Sequence, residues 1–154
     1  MNGPVATDVL GAMITPAVLI SASGTLVLST SNRLSRVVDR VRNLAAEAGK
    51  VGEDIPEERR RLIVEQLTIL SSRALLLRSA LTSFYLAIGL LVATSIAVGI
   101  VAALRWQYGW IPVITGLGGA CALLWGSLLL VREARQAIGF TLHELAEIRR
   151  NVGE

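Results

Sequence analysis

Three stretches of this chain contain no Asp, Glu, Lys or Arg: Val9–Asn32, Ser79–Leu104 and Trp106–Val131, of 24, 26 and 26 residues. A helix needs about 20 predominantly apolar residues to cross a hydrocarbon layer about 30 Å thick, so each stretch is long enough to span one. A water-soluble fold would have to bury all three beneath the remaining 78 residues, which are too few to wrap them. Hydrophobic residues make up 53% of the chain and charged residues only 18%, with a mean hydropathy of +0.58. That balance is unlike an ordinary soluble domain and excludes disorder and a soluble enzyme core. The single Cys121 has no partner for a disulfide and no second soft ligand for a metal. It is expected as a small residue buried between helices.

The amino terminus carries no Lys or Arg before the first apolar stretch, whereas Arg33, Arg36, Arg40 and Arg42 follow it. A cleaved signal peptide has the opposite polarity, so the first stretch reads as a retained helix with its amino terminus outside. Between the first and second stretches lie ten basic residues and seven acids. Arg132, Arg135, Arg149 and Arg150 follow the third stretch, and the short turn at Arg105 holds one basic residue. Basic bias near membrane ends sets topology, so residues 33–78 and the carboxyl-terminal tail are expected in the cytoplasm. Crossings are therefore expected at about 9–32, 79–104 and 110–131. Trp106, Tyr108 and Trp110 suit an interfacial belt, and Pro112 suits the first turn of the third helix.

The charged segments are patterned. Leu34, Val38, Val41, Ala45 and Ala48 alternate at four and three residues, as do Ile63, Leu67, Leu70, Ala74, Leu77 and Leu81, and Ala134, Ile138, Thr141, Leu145 and Ile148. Each series places an apolar seam on one side of a helix, and three seams in one small chain are expected to pack on one another. Gly49, Gly52 and Pro56 mark the turn of the hairpin 33–78. No break follows between Glu57 and Leu104, which predicts one continuous helix of 48 residues. The fold class is thus all-α: a three-helix transmembrane bundle forming a single membrane domain. Its cytoplasmic helical extensions, 33–78 and 132–150, form a short stalk.

Arg33, Arg36, Arg78 and Arg132 fall near the inner interface and are expected to reach phospholipid headgroups. Arg59, Arg60 and Arg61 begin the returning helix beyond the reach of lipid and are candidates for partner contact. Their flanking Glu57, Glu58 and Glu65, with no interleaved aromatics, do not make a nucleic-acid site.

In the first crossing, Thr15-Pro16 permits two readings. Thr15 caps a helix that begins at Pro16, or Pro16 kinks a continuous helix. Ser21, Thr25, Ser29 and Asn32 recur on one face as a small polar stripe, either a helix interface or, among several copies, the lining of a pore. Small residues in the third crossing, Gly116, Ala120 and Gly126 among them, permit close helix packing, as do Ala93, Ala97 and Gly99 in the second. No crossing contains an ionisable group for proton coupling, and His143 lies in the tail without companion ligands. Catalytic residues, cofactors and metal sites are therefore not expected, and the chain reads as non-enzymatic.

The run Ile14-Thr15-Pro16-Ala17-Val18-Leu19-Ile20-Ser21-Ala22, with Leu28-Ser29-Thr30-Ser31-Asn32-Arg33-Leu34 and Val37-Val38-Asp39-Arg40-Val41-Arg42, resembles an uncharacterised family of small bacterial membrane proteins. The resemblance covers about residues 8–150 and implies a bacterial inner-membrane protein with one early and two later crossings. It brings no activity with it. The functional expectation is a membrane scaffold or accessory subunit of a larger or homo-oligomeric assembly. The alternative is an oligomeric ion channel lined by Ser21, Thr25, Ser29 and Asn32.

Overall fold

The computed structural model describes residues 3–50, 57–104 and 109–152. The side chains of 3–6, 8, 9, 47, 48, 50, 57–59 and 137–152 lie outside that description. Three helices account for these residues: α1 (Gly3–Lys50), α2 (Glu57–Leu104) and α3 (Trp110–Val152). With no proline and no cluster of turn residues from Glu57 to Leu104, the chain forms the 48-residue α2 that the sequence predicts, about 72 Å of helix. Pro16 lies inside α1 and not at its start, so Thr15 is not a cap. Having no N–H, Pro16 leaves the carbonyl of Ala12 without its usual intrahelical partner. Pro112 falls in the first turn of α3, where its missing donor costs nothing. Gly49, expected in the hairpin turn, still lies in α1, whereas the rest of that turn, 51–56, and the aromatics Trp106 and Tyr108 lie outside the described residues.

The chain divides into two compact units. The first is Met1–Ser31 with Ala80–Ser127, and the second is Asn32–Ser79 with Leu128–Glu154. In the first unit, Ala80, Leu81, Phe84, Ala87, Leu91 and Thr94 of α2 are buried, together with Ser23 and Thr30 of α1. Its outward faces are apolar. Leu10, Ile14, Val18 and Leu28 on α1, Tyr85, Leu86 and Ile96 on α2, and Val113, Leu117 and Leu124 on α3 are all exposed. Apolar surface on this scale marks contact with hydrocarbon. Each helix contains a segment long and apolar enough to cross a membrane, within Leu10–Ala46, Arg60–Leu104 and Trp110–Gln136. The chain is a multi-pass membrane protein.

In the second unit the seam of α2 matches the sequence pattern: Ile63, Leu67, Leu70 and Ala74 are half-buried and Leu77 is fully buried. The seam of α1 is displaced by one residue from the expected series. Val37 and Leu44 are buried and Leu34 and Val41 half-buried, whereas Val38 and Ala45 are exposed. Both registers keep three-and-four spacing, because Val37-Val38 and Leu44-Ala45 are adjacent apolar pairs. The larger Leu44 occupies the buried position in preference to Ala45, since it removes more apolar area from water. The seam expected at Ile138, Thr141, Leu145 and Ile148 lies outside the described side chains.

The corrected register has a direct test. Val37 is 8% exposed and Val38 is 41% exposed. Val37→Ala should therefore destabilise the chain by about 1–2 kcal/mol and Val38→Ala by less than about 0.5 kcal/mol. Reversible unfolding of the two variants in matched detergent measures both.

Candidate functional site

The interior of the first unit is built by small residues on α3 meeting large ones on α2. Gly126 is buried against the Phe84 ring, and a Cβ placed on it would lie 2.6 Å from Cε1 and 2.9 Å from Cδ1. Gly119 meets Leu91, where an added Cβ would come within 3.0 Å of Cγ and 3.4 Å of the Ala87 carbonyl oxygen. Gly116 has looser contact with Thr94. In hydrocarbon, helix association depends on close packing because lipid tails are as apolar as leucine, so small residues at these points set the approach. Ala120, expected in close helix packing, is exposed, whereas Gly119 is buried at the contact with α2. Cys121 is likewise exposed and not buried. The inward positions step through Gly119, Ala122 and Gly126, and residues 120 and 121 fall between the first two.

The hydroxyls of this interior are internally bonded. Ser23 donates to the Leu19 carbonyl and Thr30 to that of Leu26. The Thr94 and Thr115 hydroxyl oxygens lie 2.9 Å apart, linking α2 to α3. Beside them is an open cavity of about 280 Å³, lined by Thr15, Pro16 and Leu19 of α1, Leu91 and Thr94 of α2, and Gly116 of α3, among others. By contrast Ser21, Thr25, Ser29 and Asn32 all lie on the exposed side of α1. None of these four side chains is hydrogen-bonded to another described residue.

The second unit holds the strongest electrostatic feature of the described residues. Glu133 of α3 is 1% exposed and lies between two arginines. Arg73 of α2 donates to Oε1 from Nε at 3.2 Å and from Nη2 at 2.8 Å. Arg33 of α1 brings Nη2 to 2.7 Å from Oε2. No N–H is aligned on Oε2, so Arg33 supplies charge without a formed hydrogen bond. A carboxylate removed from water in this way persists only with cations beside it, and here all three helices contribute to one ion group.

Sequence reasoning singled out Arg33 for lipid and passed over Glu133 and Arg73. Glu133 stands among Arg132 and Arg135 just beyond a charge-free stretch, which makes it look like an ordinary interfacial charge. A usable signal is periodicity. Gly119, Gly126 and Glu133 are spaced by seven, so the acid continues the buried line of the glycines. Of the other headgroup candidates, Arg36 and Arg132 are exposed, Arg36 directing Nε at the Asn32 carbonyl. Arg78 is exposed too. Arg60 and Arg61 are exposed, while the side chain of Arg59 and His143 lie outside the described residues.

A family model described as Protein of unknown function (DUF2721) matches residues 13–141. The chain belongs to that family. The match runs from within α1 through α2 into α3 and includes Pro16, both contact glycines and the three members of the ion group. No curated protein and no solved structure matches this DUF2721 chain.

Three substitutions test the geometry. Gly126→Ala forces the buried Phe84 ring to move and should cost about 1–3 kcal/mol. Gly24→Ala meets nothing within 4 Å and should be neutral or stabilising, by up to about 1 kcal/mol, from helix propensity. Glu133→Gln leaves two guanidinium groups facing a neutral amide and should destabilise the chain by about 3 kcal/mol, the low end for breaking a buried pair because both arginines keep some solvent contact. Thermal or denaturant unfolding in one detergent ranks all three.

Proposed function

We propose that this protein is a non-enzymatic membrane scaffold that associates with further copies of itself through the outer face of α1, as an accessory element of a larger assembly. The observation that supports this reading is the exposed stripe Ser21, Thr25, Ser29 and Asn32. Ser23 and Thr30 of the same helix bond back to α1's own carbonyls, yet the stripe side chains have no partner among the described residues. Facing hydrocarbon, unpaired hydroxyls forgo hydrogen bonds that a second helix can supply, and their small size lets that helix approach. Ala17, also exposed, extends the row by one turn. A two-fold pairing of the stripe with itself satisfies both copies at once. Each cross-helix hydrogen bond of this kind contributes about 0.6 kcal/mol on average, so several acting together are needed.

We assign the protein to a bacterial inner membrane with its amino terminus outside and its carboxyl terminus cytoplasmic. The excess of Lys and Arg in 33–78 and in the tail, against one basic residue at Arg105, supports that orientation.

The test uses full-length protein released gently from the membrane and weighed by native mass spectrometry. The wild type is expected as an oligomer, and the triple variant Ser21→Leu, Thr25→Leu, Ser29→Leu as a monomer of unchanged helicity. A monomeric wild type overturns the scaffold reading. Ion flux through proteoliposomes that is abolished by Ser29→Leu would replace it with the channel alternative, in which the same stripe lines a path between copies.

A further inference from the structure

We propose that Arg33 and Arg73, held together by Glu133, form a binding site for a phosphate group, and that this phosphate is the headgroup of an anionic membrane lipid. The inference rests on the helices spanning a bilayer and is independent of self-association.

The first argument is charge. Two guanidinium groups face one carboxylate, so the group carries one positive charge in excess. Nothing nearby cancels it: segments 32–40, 73–79 and 128–136 contain seven arginines against Asp39 and Glu133 alone. An excess positive charge at the edge of a low-dielectric layer attracts an anion.

The second argument is geometry. Glu133 uses Nε and Nη2 of Arg73 and Nη2 of Arg33, leaving Nη1 of Arg73 and both Nε and Nη1 of Arg33 without a partner among the described residues. Arg33 is 39% exposed and Arg73 27%, so these donors remain within reach from outside. A buried acid that holds the Arg73 fork by hydrogen bonds and draws Arg33 beside it by charge sets two guanidinium groups together for contact with phosphate oxygens. Arg36, one turn beyond Arg33, and Arg132, next to Glu133, are exposed and add positive charge.

The third argument is depth. Arg33 directly follows the first charge-free stretch, Arg73 precedes the second by six residues, and Glu133 follows the third by two. These are the positions where helices leave hydrocarbon and meet lipid phosphates. The same phosphate chemistry in solution would be dilute by comparison, which favours the headgroup.

The experiment reconstitutes the full chain in nanodiscs of mixed phosphatidylcholine and phosphatidylglycerol and counts retained lipids by native mass spectrometry. The wild type should retain phosphatidylglycerol in preference to phosphatidylcholine. Arg33→Gln leaves Glu133 paired with Arg73 and should lower that preference about fivefold, the equivalent of one interfacial arginine. Arg33→Lys, which keeps charge and loses the fork, should fall between the two. Arg61→Gln removes an equal charge away from the group and should leave the preference unchanged. Equal losses in Arg33→Gln and Arg61→Gln, or no loss in Arg33→Gln at unchanged helicity, would overturn the proposal. So would stabilisation by inorganic phosphate in detergent that matches phosphatidylglycerol, because the site would then take the free anion.

Discussion

Everything in this structure depends on the solvent of the first unit being hydrocarbon. Its outward faces carry Leu, Ile, Val and Trp beside the hydroxyl stripe of α1, while its interior sets Phe84 and Leu91 against glycines and encloses Ser23, Thr30 and Thr94. In water that much exposed apolar side chain would be unfavourable. In lipid the arrangement is stable, because burying a leucine between helices gains little that lipid tails do not already offer. What remains is close packing and the pairing of polar atoms. Phe84 against Gly126 and Leu91 against Gly119 supply the packing, and the Thr94–Thr115 pair supplies a polar link between helices.

In the second unit the decisive contact is ionic. One acid on α3 receives arginines from α1 and α2, and that assignment is unforgiving of register. Turning α3 by one residue, about 100°, would present Arg132 or Ala134 to the two guanidinium groups in place of Glu133. A buried ion group adds little net stability, but a mismatched one is costly. Glu133 therefore discriminates among packings that the surrounding leucines and valines would otherwise tolerate almost equally. The same arrangement leaves the chain with more positive charge than it neutralises where helices leave the bilayer.

The sequence was most informative about length and least about facing. The stretch from Glu57 to Leu104 shows α2 in full, since it holds no proline and its isolated Gly89 and Gly99 are tolerated inside a helix. The α2 seam from Ile63 to Leu81 was also legible, because polar residues flank it. Facing was harder where both sides of a helix are apolar. Val37 and Val38 are equivalent by hydropathy, and so are most positions around Ala120 and Cys121. Side-chain size repeating every seven residues carries the information there, through Gly119, Gly126 and Glu133. Spacing groups Ser21, Thr25, Ser29 and Asn32 on α1, but hydropathy does not say whether they point inward, and in the structure all four are exposed. Glu133 escaped notice because burial of an acid depends on two arginines 100 and 60 residues away in the chain, a coincidence no local window contains.

The most direct test of the hydrocarbon environment uses Trp125, which lies within the third charge-free stretch and is 56% exposed. With Trp106 and Trp110 replaced by Phe, it becomes the sole tryptophan, and its fluorescence can be measured in bilayers whose acyl chains carry bromine. The account predicts strong quenching by bromine within the chains and little quenching by aqueous iodide. Quenching by iodide with none by brominated lipid would place Trp125 in water and contradict it.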